Sequence, residues 1–410
     1  MKKYGLFALL LFLAACSSPP KPALETEAVV TGTAPQQLLS NEWMDGYYRT
    51  LLPIVSSPTR GLVYSHIGTG ANRRGNSFDI EELELSLMRN SQRFFDSAEL
   101  YFQEGQQLSR GFVSALLGRE LTAHQLERMP EHSNWGQNPP GPQSDGRGNI
   151  IEEGEEISIQ VGDRQFASRD IIHLAFLVEQ NFISVSEDGE QHLEGVSIGL
   201  ALNPFQVMDD MVGGTPITVT RVIPEAELLS MGREMAGNIL EIIREEAEGL
   251  SSVPIMMGLY ILEASDTIVP GRLAEVGLVS RNSTEIRSWE TVREAHLLLP
   301  DSRILEYETD LIDEYNHFYN EIAENFPHFH GIVGMGSFVD GNLHALEITI
   351  NVEFLGLAEK LSMHQLVGAL VEETFSMRYN VTVVLRNSRE IYGIVTRQPN
   401  QQVFVHRIGW

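Results

Sequence analysis

Between residues 196 and 385 the chain passes twice from an alternating pattern to a helical one and back. Val196, Ile198, Leu200 and Leu202 alternate with smaller residues, which predicts a strand. Residues 225–248 predict an amphipathic helix: Met231, Met235, Ile239, Ile242 and Ile243 share one face, and Arg233, Glu234, Glu241, Arg244, Glu245 and Glu248 fall largely on the other. Pro254 and the apolar run from Ile255 to Leu262 then predict a buried strand. The second passage has the same order. Leu346, Ile348, Ile350, Val352 and Phe354 alternate with Glu347, Thr349, Asn351 and Glu353, the pattern of a strand with one wet face. A helix follows, with Met363, Leu366, Val367, Leu370, Val371 and Phe375 as its buried stripe and Ser362 and Gln365 at capping-box spacing. Val381–Leu385, Ile391–Thr396 and Val403–Ile408 predict three more strands. Turns are expected at Asp340-Gly341-Asn342 and Pro399-Asn400. Leu-Ser-Met recurs at 229–231 and 361–363, where each helix opens. Two explanations stand: an old duplication, or chance repetition within a common strand–helix–strand unit.

The earlier part of the chain is less periodic. Residues 79–130 look mixed and mainly helical, and 131–155, rich in Pro, Gly, Asn and Glu, read as a loop or boundary. Ile157, Ile159 and Val161 alternate ahead of Gly162-Asp163, which predicts a short hairpin. Residues 168–183 suit a helix burying Ile171, Ile172, Ala175, Phe176 and Val178. The expected class is α+β, with two α/β lobes of mixed sheets and helices packed on one face. The expected divisions are a leader at 1–15, a tether at 16–40, an N-terminal mixed helical segment at 41–195, a middle lobe at 196–300 and a C-terminal lobe at 301–410.

The first sixteen residues, MKKYGLFALLLFLAAC, change the picture from a plain globular protein to an exported one. Lys2 and Lys3 precede a short apolar core, too short for a permanent membrane span, so the segment reads as an export signal. Leu13-Ala14-Ala15-Cys16 matches a lipobox, which makes Cys16 the first mature residue and the site of a diacylglyceryl thioether. The alternative is an ordinary leader with a chance cysteine. Cys16 is the single cysteine, so no internal disulfide forms. The expected location is the extracellular face of the cell membrane, with the membrane and the lipoprotein-processing enzymes as partners. Two acyl chains on one residue make a durable anchor. The net charge of −27 argues against nucleic acid as a partner.

Catalytic patterns are lacking: the sequence holds no His-Glu-x-x-His, Gly-x-Ser-x-Gly or Walker A segment. No cofactor is expected beyond the lipid. His328 and His330 are the best metal candidates, and His317 and His344 could lie near them, but ordinary surface or packing histidines after Pro327 are the simpler explanation, so no metal is expected. The run Glu152, Glu153, Glu155, Glu156 is either a weak calcium site or a solvated loop. Asp209-Asp210 follows the first strand of the middle lobe, where α/β folds often bind ligands, although the polar start of a loop is the simpler reading. Trp43, Tyr47, Tyr48 and Arg49 would line a groove or pack as an aromatic edge. Tyr47, Arg49, Asp209 and Asp210 are therefore the candidate ligand-binding residues.

Several separated segments resemble the CamS family of sex-pheromone-precursor lipoproteins of Gram-positive bacteria. They are the lipobox, YYRTLLP (47–53) with RGL (60–62), YFQEGQQLS (101–109), VSIGLALN (196–203), GREMAGNIL (232–240), IVPG (268–271), LLLP (297–300) and ITINVEFLGLAEKLSMHQLV (348–367). The resemblance implies that the end of the cleaved leader is trimmed to an apolar peptide sensed by cells carrying a conjugative plasmid. Here that peptide is Leu9, Leu10, Leu11, Phe12, Leu13, Ala14 and Ala15, and its partner is a pheromone receptor. The resemblance brings no chemistry for the mature domain, which is expected to be non-enzymatic. The alternatives are an extracytoplasmic binding lipoprotein with a cleft between its lobes and a metal-dependent hydrolase.

Overall fold

The computed structural model describes residues 47–52, 56–60, 62, 78–129, 133–144, 147, 149–152, 154–212, 214–326, 329–353 and 356–409. The leader with Cys16, the expected tether, Trp43 and His328 lie outside them, as do Glu153 and the side chains of Glu152 and Asp209.

In chain order the elements are β1 (Arg49–Thr50), α1 (Phe78–Ser91), β2 (Tyr101–Glu104), α2 (Arg110–Leu116), α3 (Ala123–Arg128), β3 (Gln143–Ser144), β4 (Ile150–Glu152), β5 (Ile157–Val161), β6 (Arg164–Ser168), β7 (Leu174–Val185), β8 (Gln191–Leu202), β9 (Phe205–Val212) and β10 (Thr215–Val222). Then come α4 (Glu225–Glu246), β11 (Ile255–Ile261), β12 (Arg272–Val279), β13 (Glu290–Thr291), β14 (Glu294–Leu299), α5 (Leu311–Asn325), β15 (Phe329–Val339), β16 (Asn342–Val352), α6 (Leu357–Thr374), β17 (Asn380–Arg386), β18 (Ile391–Arg397) and β19 (Phe404–Arg407). The class is α+β, as the patterning predicts.

Two mixed sheets organise the chain. The first has seven strands in the order β1-β2-β7-β8-β11-β12-β13, and the second has six, β14 to β19 in sequence order. In the first, α4 carries the chain from β8 to its parallel neighbour β11. In the second, α6 carries it from β16 to its parallel neighbour β17. Apart from β1, the two sheets have the same succession of pairings: antiparallel, antiparallel, parallel, antiparallel, antiparallel. Identical order and direction across six strands favour the duplication explanation over chance. The first sheet has the added hairpins β5–β6 and β9–β10, which share a small core of Ile157, Phe166, Ile171 and Met208.

Three expectations need correction. Residues 174–185 form a strand, not a helix. β7 is buried on both faces, Leu174 and Leu177 against the α4 side and Phe176, Val178 and Phe182 against the α1 side. A doubly buried strand reads as a continuous apolar run without period two, and periodicity alone cannot tell it from a helix. The division expected at 195/196 falls inside β8, so the N-terminal segment and the middle lobe share one sheet. The helices also start a turn before Leu-Ser-Met. Gly356 and Pro224 stand at the caps, and neither makes a side-chain capping bond.

Helices on one face describes the second sheet only. There Phe318 and Ile322 of α5 and Met363, Val367 and Val371 of α6 pack on Leu346, Ile348, Val383 and Val395. Arg397 is buried beside the end of α6 and donates to the carbonyls of Val371, Phe375 and Ser376, closing acceptors that a helix C-terminus leaves open. The first sheet is covered on both faces. Leu228, Met235, Ile239 and Ile243 of α4 lie on one. On the other, α1 presents Ile80, Leu83 and Leu87. Gly199 and Gly258 let α1 sit close, because a Cβ on either would stand 2.8 or 2.9 Å from a Leu83 or Leu87 methyl. Gly271 is tighter still: a Cβ there would lie 2.0 Å from the Ile261 carbonyl oxygen. Gly271→Ala is expected to cost roughly 1–3 kcal/mol through backbone displacement, read as a lower urea midpoint with an unchanged slope.

Candidate functional site

The densest group of buried charge joins the two sheets. Glu294 opens β14, and its carboxylate takes both prongs of the Arg89 guanidinium, Nε to Oε1 at 3.0 Å and a terminal nitrogen to Oε2 at 2.9 Å. Asn90 donates to the same Oε1 at 2.9 Å. Arg89 also reaches Glu82 at 2.8 Å, and His296 Nε2 lies 3.2 Å from that same Glu82 oxygen. The other ring nitrogen of His296 meets the Ser337 hydroxyl at 3.1 Å. Burial alone would raise the Glu82 carboxyl pKa, but His296 and Arg89 hold it below its ordinary value. Glu82, Arg89 and Asn90 belong to α1, and Glu294, His296 and Ser337 to the second sheet. Each carboxylate here is engaged by cationic or amide groups, an arrangement that binds elements together.

The other end of α1 is fastened by Asp79, which is fully buried. Its Oδ1 accepts from Gly271 N at 2.7 Å and from the Tyr260 hydroxyl at 3.2 Å. A second buried carboxylate, Glu179 on β7, receives the backbone N–H groups of Gln106, Gln107 and Leu108 at 3.1, 2.8 and 2.9 Å. Gly105 permits this, since a Cβ would stand 2.5 Å from that of Glu179. Burial pushes the Glu179 carboxyl up to about 7, against the pull of those three donors.

Those residues singled out from the sequence that are described do not converge. Arg49 lies over the Tyr101 ring at 4.1 Å and donates to the Tyr101 hydroxyl and the Ala98 carbonyl, so it ties the sheet edge. Tyr48 is buried and packs on Phe182, whereas Tyr47 is exposed. Asp209 and Asp210 are not at a loop start beyond the first strand. They stand within β9, paired with Thr218 and Ile217, because the chain continues into an added hairpin. His330 is exposed in a bulge beside Asn351, at the opposite end of the β15–β16 hairpin from the exposed His344. Among the described residues no group of three or more His, Cys, Asp or Glu side chains suits a metal ion. Glu155 and Glu156 are exposed, and Glu156 pairs with Arg169 at 2.7 Å.

Two of the surface cavities formed by described residues are well defined. One, of about 570 Å³, is lined by Phe94, Asp96, Glu99, Glu194, Leu278 and Arg281 at one end of the first sheet. The other, of about 380 Å³, lies between the end of α5 and α6, against Phe326, Glu359 and Leu366. Neither spans the two sheets.

A family model described as "CamS sex pheromone cAM373 precursor" matches residues 64–403. The chain belongs to the CamS family. No curated protein matches it. Two solved structures share its fold. One is a sex pheromone precursor from Lactobacillus salivarius subsp. salivarius UCC118, 21% identical, covering 90% of this chain and 98% of its own, with a TM-score of 0.71. The other is the C-terminal domain of the sex pheromone staph-cAM373 precursor from Staphylococcus aureus, 21% identical, covering 83% of this chain and 99% of its own, with a TM-score of 0.62. Two motifs that carry the resemblance have structural roles in this CamS protein. YFQEGQQLS supplies the loop that grips Glu179, and IVPG ends at the glycine that meets Asp79.

Sequence reasoning missed Arg89, Glu294 and Glu179. Arg89 and Glu294 look like surface charges until the sheets come together. Glu179 carried a legible signal, as a carboxylate inside an apolar run needs partners. Its raised pKa means that the folded protein holds a proton the unfolded chain has already released between about pH 4.5 and 7. Stability is therefore expected to fall as pH rises through that window, by on the order of 3 kcal/mol. Denaturant titrations at several pH values should show this slope, and Glu179→Gln should reduce it, leaving the part due to Glu84, whose carboxyl burial also raises to about 7.

Proposed function

We propose that this CamS protein is a lipoprotein held on the outer face of the cell membrane by a diacylglyceryl group on Cys16, and that Leu9–Ala15 of its leader leaves the cell as an apolar signalling peptide. The observation that carries this reading is the register of Lys2-Lys3, the apolar core and Leu13-Ala14-Ala15-Cys16, in a chain of the CamS family. No helix among the described residues is long and apolar enough to cross a membrane; a diacylglyceryl group, with two acyl chains, suffices for durable attachment. Lipoprotein-processing enzymes act first, and a receptor in plasmid-bearing recipients receives the peptide.

On this reading the mature domain carries out no catalysis. The engaged carboxylates of α1 and the separation of His330 from His344 support that part of the reading.

Targeted mass spectrometry of culture medium, calibrated with synthetic LLLFLAA, is expected to detect the peptide. Cys16→Ser is expected to abolish both peptide release and retention of the protein in the membrane fraction. Absence of the peptide well below the standard's detection limit, with the protein still processed and anchored, contradicts the signalling half of the proposal.

A further inference from the structure

The cavity of about 570 Å³ at one end of the first sheet has the size of a small-molecule site, and it has two kinds of wall. One is apolar, formed by Phe94, Phe95, Leu100, Pro254 and Leu278. The Phe95 ring is firmly held. It stacks on Phe182 at 4.6 Å and lies over Gly195, where a Cβ would stand 2.1 Å from the ring. Leu278, on β12, is 38% exposed, so apolar surface is left for a ligand to cover.

The other wall is charged. Asp96, Glu99, Glu194 and Arg281 line the same cavity. Arg281 lies 3.2 Å from one oxygen of Glu194, and the other oxygen accepts from the Ser184 hydroxyl at 2.8 Å. That ion pair balances itself and leaves Asp96 and Glu99 as the uncompensated charges of the wall. Asp96 is oriented by the Ala98 N–H, 2.8 Å from one of its carboxylate oxygens. Arg93, beside the Phe94 ring, is paired with Glu290.

These walls select the ligand's chemistry. Aromatic rings and carboxylates both favour positive charge, and the apolar wall favours an organic cation over a metal ion. Arg281 uses one nitrogen on Glu194, and a guanidinium has five N–H donors, so it can also take a carbonyl oxygen. An ammonium, an apolar side chain and a carbonyl in close succession are the first residue of a peptide. We propose that this cavity binds the free amino end of an apolar peptide. The ammonium sits against Asp96 and Glu99, the first side chain on Phe94 and Leu278, and the first carbonyl on Arg281. The inference does not rest on release of the leader peptide, although Leu9-Leu10 at its start has this chemistry.

The experiment is calorimetric titration of the full lipidated chain, in nonionic detergent, with three probes: Leu-Leu-amide, its N-acetyl form and Gly-Gly-amide. Saturable binding of Leu-Leu-amide is expected, weakened about ten-fold by acetylation, which removes the charge, and several-fold in Gly-Gly-amide, which lacks the apolar body. Asp96→Asn combined with Glu99→Gln should weaken Leu-Leu-amide to the level of the acetylated probe and leave the acetylated probe unchanged. Asparagine keeps the oxygen that accepts from Ala98, and an unchanged urea midpoint checks that the double variant folds. Leu278→Ser should weaken both leucine probes alike. Absence of saturable binding overturns the proposal, as does equal binding of the free and acetylated probes, or Leu-Leu-amide binding that survives the double variant undiminished.

Discussion

The bidentate contact between Arg89 and Glu294 is the constraint on which the arrangement of this molecule depends. Each sheet has its own apolar core, and each core alone would close one unit. A helix that belongs to the first sheet reaches the opening strand of the second and ends in a guanidinium–carboxylate pair. Glu294 retains only 3% of its side-chain exposure, so the carboxylate has given up its water and relies on Arg89 and Asn90. Asp79 fixes the start of the same helix, and Ser91 bonds Ser197 at 2.7 Å at its end. α1 thus has little freedom to slide, and the relative placement of the sheets follows from it.

The repeated architecture explains why the two halves differ in what they expose. Both follow one strand order, with a crossover helix on one side. In the first half the other side received α1, glycines to admit it, and two added hairpins beyond the strand ends. In the second half α1 reaches that side only at the β14 edge, through Glu294 and His296.

Much of this fold was legible in the sequence where one face of an element is wet. β16, α4 and the strands after α6 follow their alternation or helical stripe, because burial on one side imprints a period. The turn at Asp340-Gly341 was legible for the same local reason, and both residues hold positive φ angles of 51° and 80°. β7 was not legible, because both of its faces are buried. The charged group around Arg89 was hidden for a different reason. Its members come from positions some two hundred residues apart, and nothing local distinguishes Glu294 from any other acid in an acidic chain. His330 and the aspartate pair drew attention by their neighbours in sequence, and the bulge at His330 and the added hairpin that holds Asp209 and Asp210 place them away from any common site.

The most direct test is hydrogen exchange during equilibrium urea unfolding, followed by mass spectrometry on peptides from both sheets, for the native chain and for Arg89→Leu. The account predicts that β8, β11, β16 and β17 lose protection in one transition in the native chain. In Arg89→Leu the account predicts two transitions, with one sheet opening at lower urea than the other. A single shared transition that survives Arg89→Leu with an unchanged midpoint would contradict the claim that α1 holds the two sheets together.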